Sequence, residues 1–166
     1  RLGGAGFLDD YAFLIQALLD VFEATSDTHT FAEAVRLTDL VEATFLDSTA
    51  HGYFMTEPAH GALLVREKPA YDGAVPCGNS VMLANFVRLG ALTTKDSYRK
   101  ASDGIIAAVN ATLTRTPMAL SEMLLAVELK LAVPRHVVVV SREGEGAKDE
   151  IAQTLRRTFL PNAIIN

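Results

Sequence analysis

Three carboxylates, Asp9, Asp10 and Asp72, stand where the sequence predicts the beginnings of strongly apolar helices, and a carboxylate desolvated at such a rim can be tuned toward acid–base work. Asp72 lies in the run Ala70-Tyr71-Asp72-Gly73-Ala74-Val75-Pro76-Cys77-Gly78-Asn79-Ser80, which packs breakers, an acid and cap-forming residues directly before a helix. Two roles fit it: a general base or a ligand for sugar hydroxyls, or an acceptor for backbone N–H groups in the Gly73 and Pro76 turns. Asp9 and Asp10 fall at the start of another helix, where negative charge favours the macrodipole, and capping accounts for one of them. Glycoside chemistry places two carboxylates on opposite sides of the scissile bond. Neighbours in one helical turn point in different directions, so the candidate catalytic pair is Asp10 with Asp72. Asp9, Tyr11, Tyr71, Asn79 and Ser80 are the candidate ligand-binding residues. Tyr71 offers a ring for stacking on a sugar face or for packing, and Asn79 and Ser80 are types that cap a helix as readily as they touch a ligand.

Other chemistries find little support. His29, His51, His60 and His136 share no HxH or HExxH spacing, so neither a metal nor a cofactor is expected. Cys77, the single cysteine, excludes an internal disulfide and a CxxC pattern. At a helix start it reads as a reactive thiol or as a small buried filler. There is no GxSxG elbow. Gly144-Glu145-Gly146 carries acids that would repel phosphate and reads as a plain turn.

The 166 residues, 49% hydrophobic and 21% charged, suffice for one substantial core. The net charge of −5 is interspersed, leaving no basic stripe for nucleic acid. No apolar run approaches the roughly 20 residues that span a bilayer, and Arg1-Leu2-Gly3-Gly4 is not a secretory signal, so a cytoplasmic setting is expected. Without an initial Met the chain reads as a processed product or a piece of a longer one.

Periodicity predicts five helices of alternating character to position these groups. Those from about Leu8 to Ala24, from Ser80 to Leu92, and from Pro117 are apolar nearly all round and read as inner helices. A helix opened by the capping box Thr30-Phe31-Ala32-Glu33, with Glu42 on its polar face, and another from about Ser97 to Leu113 are amphipathic and read as outer ones. Gly52-Tyr53-Phe54-Met55 and Leu63-Leu64-Val65 read as short strands between them. Alternating buried and amphipathic hairpins are what a double ring of helices requires, and this chain holds part of one. From Pro134 the pattern changes to strand His136–Ser141, helix Ala147–Thr158 and strand Ala163–Ile165, a βαβ unit with a parallel pair. The expected division is therefore a helical segment over 1–133 and a C-terminal unit over 134–166.

These residues resemble the YyaL-type family, which includes the spermatogenesis-associated thioredoxin-domain proteins. The resemblance is carried by Phe7-Leu8-Asp9-Asp10-Tyr11-Ala12-Phe13-Leu14, Leu63-Leu64-Val65-Arg66, Tyr71 through Ser80, and Val137-Val138-Val139-Val140 followed by Phe159-Leu160-Pro161-Asn162. It implies a mainly α fold, part of an (α/α)6 toroid similar to that of N-acylglucosamine 2-epimerases and six-hairpin glycosidases. It also implies a partner, the thioredoxin-like domain at the N-terminus of the full protein. Cys77 stands where the family usually has Ser, and His51 where it tends to have Gly.

Two functions follow as expectations. One is acid–base chemistry on a sugar-like ligand, epimerisation or isomerisation more readily than hydrolysis, with this segment inactive alone. The other is a non-catalytic scaffold for the thioredoxin-like domain, with the loop from His51 to Val75, including Glu57, Pro58 and Lys68, as contact surface. Inner helices cut from a ring leave apolar faces unpaired, so a homo-oligomer is also expected.

Overall fold

A computed structural model describes residues 6–58, 65–140 and 150–165. Helix α1 (Leu8–Thr25) and α2 (Thr28–Phe45) form the first hairpin, and α3 (Gly78–Thr93) and α4 (Asp96–Arg115) the second. A 3-10 turn at Pro117–Ala119 then leads into α5 (Ser121–Leu131). The inner row is α1, α3, α5, with α2 backing α1 and α4 backing α3. Bonds between α1 and α3 climb both helices in the same sense: Asp9 with Gly78, the Ala12 carbonyl with Asn85, and Glu23 with Arg88. The two are therefore parallel.

α3 is the centre of the core. Val81, Met82, Leu83, Phe86 and Leu89 are all sealed from solvent because helices cover it on several sides. Its flanking partners are sealed on one side only. α1 buries Leu8, Ala12, Ile15, Leu19 and Phe22 but exposes Leu14 and Val21, and α5 buries Met123 and Ala126 while exposing Leu124, Leu125 and Leu131. The amphipathic α2 buries Ala34, Leu37, Thr38, Val41 and Phe45.

The C-terminal unit is as its pattern predicts, with a first strand that ends at Val137; Ser141 and Ala147 to Asp149 lie outside the described residues. β1 (Arg135–Val137) and β2 (Ala163–Ile165) pair in parallel, His136 opposite Ile164, with α6 (Glu150–Arg157) between them in sequence. β2 touches α3, and Ile164 is buried. The molecule is thus mainly α with a small parallel sheet.

Several expected boundaries move for local reasons. α2 opens two residues before the Thr30 box, at a cap where the Asp27 carboxylate accepts from the His29 N–H at 2.9 Å. α5 begins at Ser121 rather than Pro117, whose ring opens only the 3-10 turn before Leu120 leaves helical geometry. Gly52–Met55 is not a strand: Tyr53 makes one isolated antiparallel bridge to Leu46. Leu63, Leu64, His60 and Gly144–Gly146 lie outside the described residues.

Candidate functional site

The amino ends of α1, α3 and α5 meet at one pole of the molecule, and backbone N–H groups there need acceptors. Asp9 in the first turn of α1 reaches across so that its Oδ1 accepts from the Gly78 N–H, the first of α3, at 2.8 Å. So close an approach requires glycine: a Cβ at Gly78 would lie 2.5 Å from that oxygen and 2.8 Å from Leu8 Cγ. Asp72 joins the other pair. Its Oδ1 accepts from Cys77 N–H at 3.0 Å, and its Oδ2 accepts from Glu122 and Met123 N–H at 3.0 and 3.1 Å. Its own N–H donates to the Ala119 carbonyl at 2.7 Å. One buried carboxylate thus ties the starts of α3 and α5 together. Of the two roles open to Asp72, this is the backbone acceptor, although two of its donors come from α5, far away in sequence.

The remaining candidates serve the same pole. Asp10 is exposed and accepts from the Phe7 N–H at 2.8 Å, a local cap on its own helix. Asn79 is not a cap, since α3 has already started at Gly78. Its amide instead imitates a strand neighbour: Oδ1 accepts from Tyr53 N–H at 2.9 Å, while Nδ2 donates to the Tyr53 carbonyl at 2.9 Å and to Pro69 at 3.2 Å. Ser80 is sealed, with its hydroxyl 3.3 Å from the Cys77 sulfur. Tyr11 packs on Phe45 at 5.4 Å between ring centroids. Tyr71, like Asp10, is exposed, its ring against Gly73.

The electrostatics follow burial. Desolvation raises the Asp9 carboxyl above the ordinary aspartate value, the Gly78 N–H opposes the shift, and the Asp10 charge adds to it. Burial also pushes the Cys77 thiol up, so the cysteine is a core residue and not a thiolate. In the loop offered as a contact surface, Lys68 is tied down: it pairs with Asp47 at 2.8 Å and lies over the Phe54 ring. Arg66 stacks on the same ring and donates to the Thr56 carbonyl.

Two features escaped the sequence reading. Glu42, expected on the polar face of α2, accepts a short hydrogen bond from the buried Tyr53 hydroxyl, and its burial raises its carboxyl. The second is a cavity of about 900 Å³ at the opposite pole, where α3 and α5 end and α4 begins. Its lining on α3 runs from Phe86 to Thr94, and at a rise of 1.5 Å per residue that is about 12–24 Å along the helix from the Asp72 knot at Gly78. None of the seven candidate residues lines it. Among the described residues no cluster of His, Cys, Asp and Glu could hold a metal ion, and no helix is long and apolar enough to cross a membrane.

An inner row of parallel helices, tied at one end and backed by amphipathic partners, defines a helical-hairpin layer protein. No family model matches the chain. It is 32% identical to human and to rat spermatogenesis-associated protein 20 over 161 residues, 96% of this chain and 20% of each relative. An uncharacterised protein of Caenorhabditis elegans is 30% identical over 156 residues, 94% of this chain and 21% of that protein. The chain is thus a relative of the spermatogenesis-associated protein 20 family along nearly its whole length, and spans about a fifth of the length of those relatives.

Proposed function

We propose that this chain is a non-catalytic packing segment, a scaffold whose three parallel inner helices carry further helices on both flanks in a longer protein. The observation that carries this reading is Asp72: three backbone N–H groups from two helices occupy its oxygens. Epimerisation or isomerisation of a sugar would need that carboxylate open to a ligand, and the cavity at the far pole does not reach it. The apolar side chains exposed on α1 and α5, and the fivefold greater length of the relatives, supply the rest. Residues 134–166 act as an appendage on the helical part, and the partner is the thioredoxin-like domain that the family resemblance implies.

The isolated chain is expected to self-associate with rising concentration in light scattering, through the faces bearing Leu14 and Leu125. Leu125→Glu is expected to weaken that association. Proton NMR with a panel of mono- and disaccharides is expected to show no turnover. Turnover that Asp72→Asn abolishes, in a variant that still folds, would replace the scaffold with the sugar enzyme.

A further inference from the structure

The cavity between the C-terminal ends of α3 and α5 and the start of α4 has a divided lining. Val87, Gly90, Ala91 and Pro134 make the apolar part of its lining, together with the exposed Leu131 and Val133. Lys95, Arg99 and Lys130 stand at the rim with Asp96 and Asp103. Three fixed cations against two carboxylates leave one positive charge in excess, on a chain whose net charge is −5. Its volume of about 900 Å³ falls within the range of small-molecule sites, about 300–1,000 Å³.

Two of the three cations, Lys95 and Arg99, are exposed. Arg99 pairs with Asp96 at 2.7 Å, but both side chains are about 70% exposed, so water already competes for that contact. Lys130 lies deeper, held by Ser102 at 2.6 Å and Asp103 at 3.0 Å. The Lys95 ammonium sits 5.7 Å above the Tyr98 ring and pairs with no carboxylate among the described residues. Two β-branched lining residues, Thr94 and Val133, have φ of 57° and 53°, a left-handed conformation that such residues rarely adopt and that tends to persist at binding sites.

We propose that this cavity binds a small phosphate monoester with an apolar body, the hydrocarbon lying on Val87, Ala91, Leu131 and Val133 and the phosphate meeting Lys95 and Arg99. Arg99 exchanges its exposed carboxylate for a doubly charged oxyanion of matching fork geometry, and Lys95 gains its counter-ion. Lys130 closes the far side of the head group.

The test is titration of hexyl phosphate into the ¹⁵N-labelled chain, followed by amide shifts. Saturable binding is expected, with the largest shifts at Gly90, Thr94, Lys130 and Val133. Hexanol and inorganic phosphate are each expected to bind at least about tenfold more weakly, since each supplies half of the recognition. In the double variant Lys95→Gln, Arg99→Gln, both at exposed positions, hexyl phosphate should weaken by about tenfold while hexanol is unaffected. Hexanol or phosphate alone binding as tightly as hexyl phosphate would overturn the assignment. So would shifts centred on Tyr71 or Leu125, or a double variant that binds like the parent.

Discussion

The two ends of α3 are built from the same helix and have opposite characters. At its amino end the polar groups are consumed by cohesion: Asp9 and Asp72 accept four backbone N–H groups between them, and Asn79 holds the Tyr53 and Pro69 backbone. At its carboxyl end Lys95, Arg99 and Asp96 sit on exposed side chains around open space, with Lys130 set deeper. The difference is instructive because residue types alone do not reveal it. Paired acids, a tyrosine and an asparagine beside glycine and proline look like chemistry, whereas Lys95, Arg99 and Lys130 look like an ordinary solvated face. Parallel helices explain the contrast: several dipoles end together at one pole, and their orphan N–H groups require carboxylates merely to be buried.

The largest expected effect lies at the knot. Asp72→Ala leaves three backbone donors without their acceptor at the junction of α3 and α5, a loss of about 3 kcal/mol or more. The urea midpoint at neutral pH measures it. A loss below about 1 kcal/mol would mean water replaces the carboxylate, and the contrast between the poles would fail. Gly78→Ala is the next step down. Its new Cβ meets Asp9 Oδ1 and Leu8 at less than van der Waals distance, forcing α1 and α3 apart, for about 1–3 kcal/mol. An unchanged midpoint would show that the two amino ends have slack.

How far the sequence could be read follows the same division. The helices were legible because their apolar spacing is strong: α1, α3 and α4 begin and end within two residues of the pattern. The parallel C-terminal pair was legible from its β-branched run and short connection. The start of α5 was not, because Asp72, some fifty residues earlier, sets it. The roles of Asn79 and Glu42 were hidden for the same reason: their partner, Tyr53, comes from another stretch of chain. The cavity had no sequence signal, being formed by the ends of three helices that no local pattern brings together.

The smallest effect tests the sign of the electrostatics at the knot. Asp9 and Asp47 are both aspartates that accept backbone hydrogen bonds, yet their carboxyls move in opposite directions. Lys68 and the Ala50 and Thr49 N–H groups hold Asp47 down at about 2, while desolvation raises Asp9. A carboxyl lowered on folding contributes stability that is complete above the unfolded value of about 3.9 and is lost as pH falls toward 2. A carboxyl raised on folding does the reverse: between the unfolded value and its own, the folded chain holds more protons, and stability falls as pH rises through that window. Asp9→Asn keeps an oxygen for the Gly78 N–H and removes the buried charge. It should therefore raise the urea midpoint slightly at pH 7 and leave it unchanged near pH 3, where Asp9 is already protonated in both states. Asp47→Asn should lower the midpoint at pH 7, with its effect fading as the pH is taken toward 2. If Asp9→Asn destabilises at pH 7 instead, the converging helix dipoles outweigh desolvation, and the amino pole holds its charge for electrostatic cohesion and not merely for its oxygens.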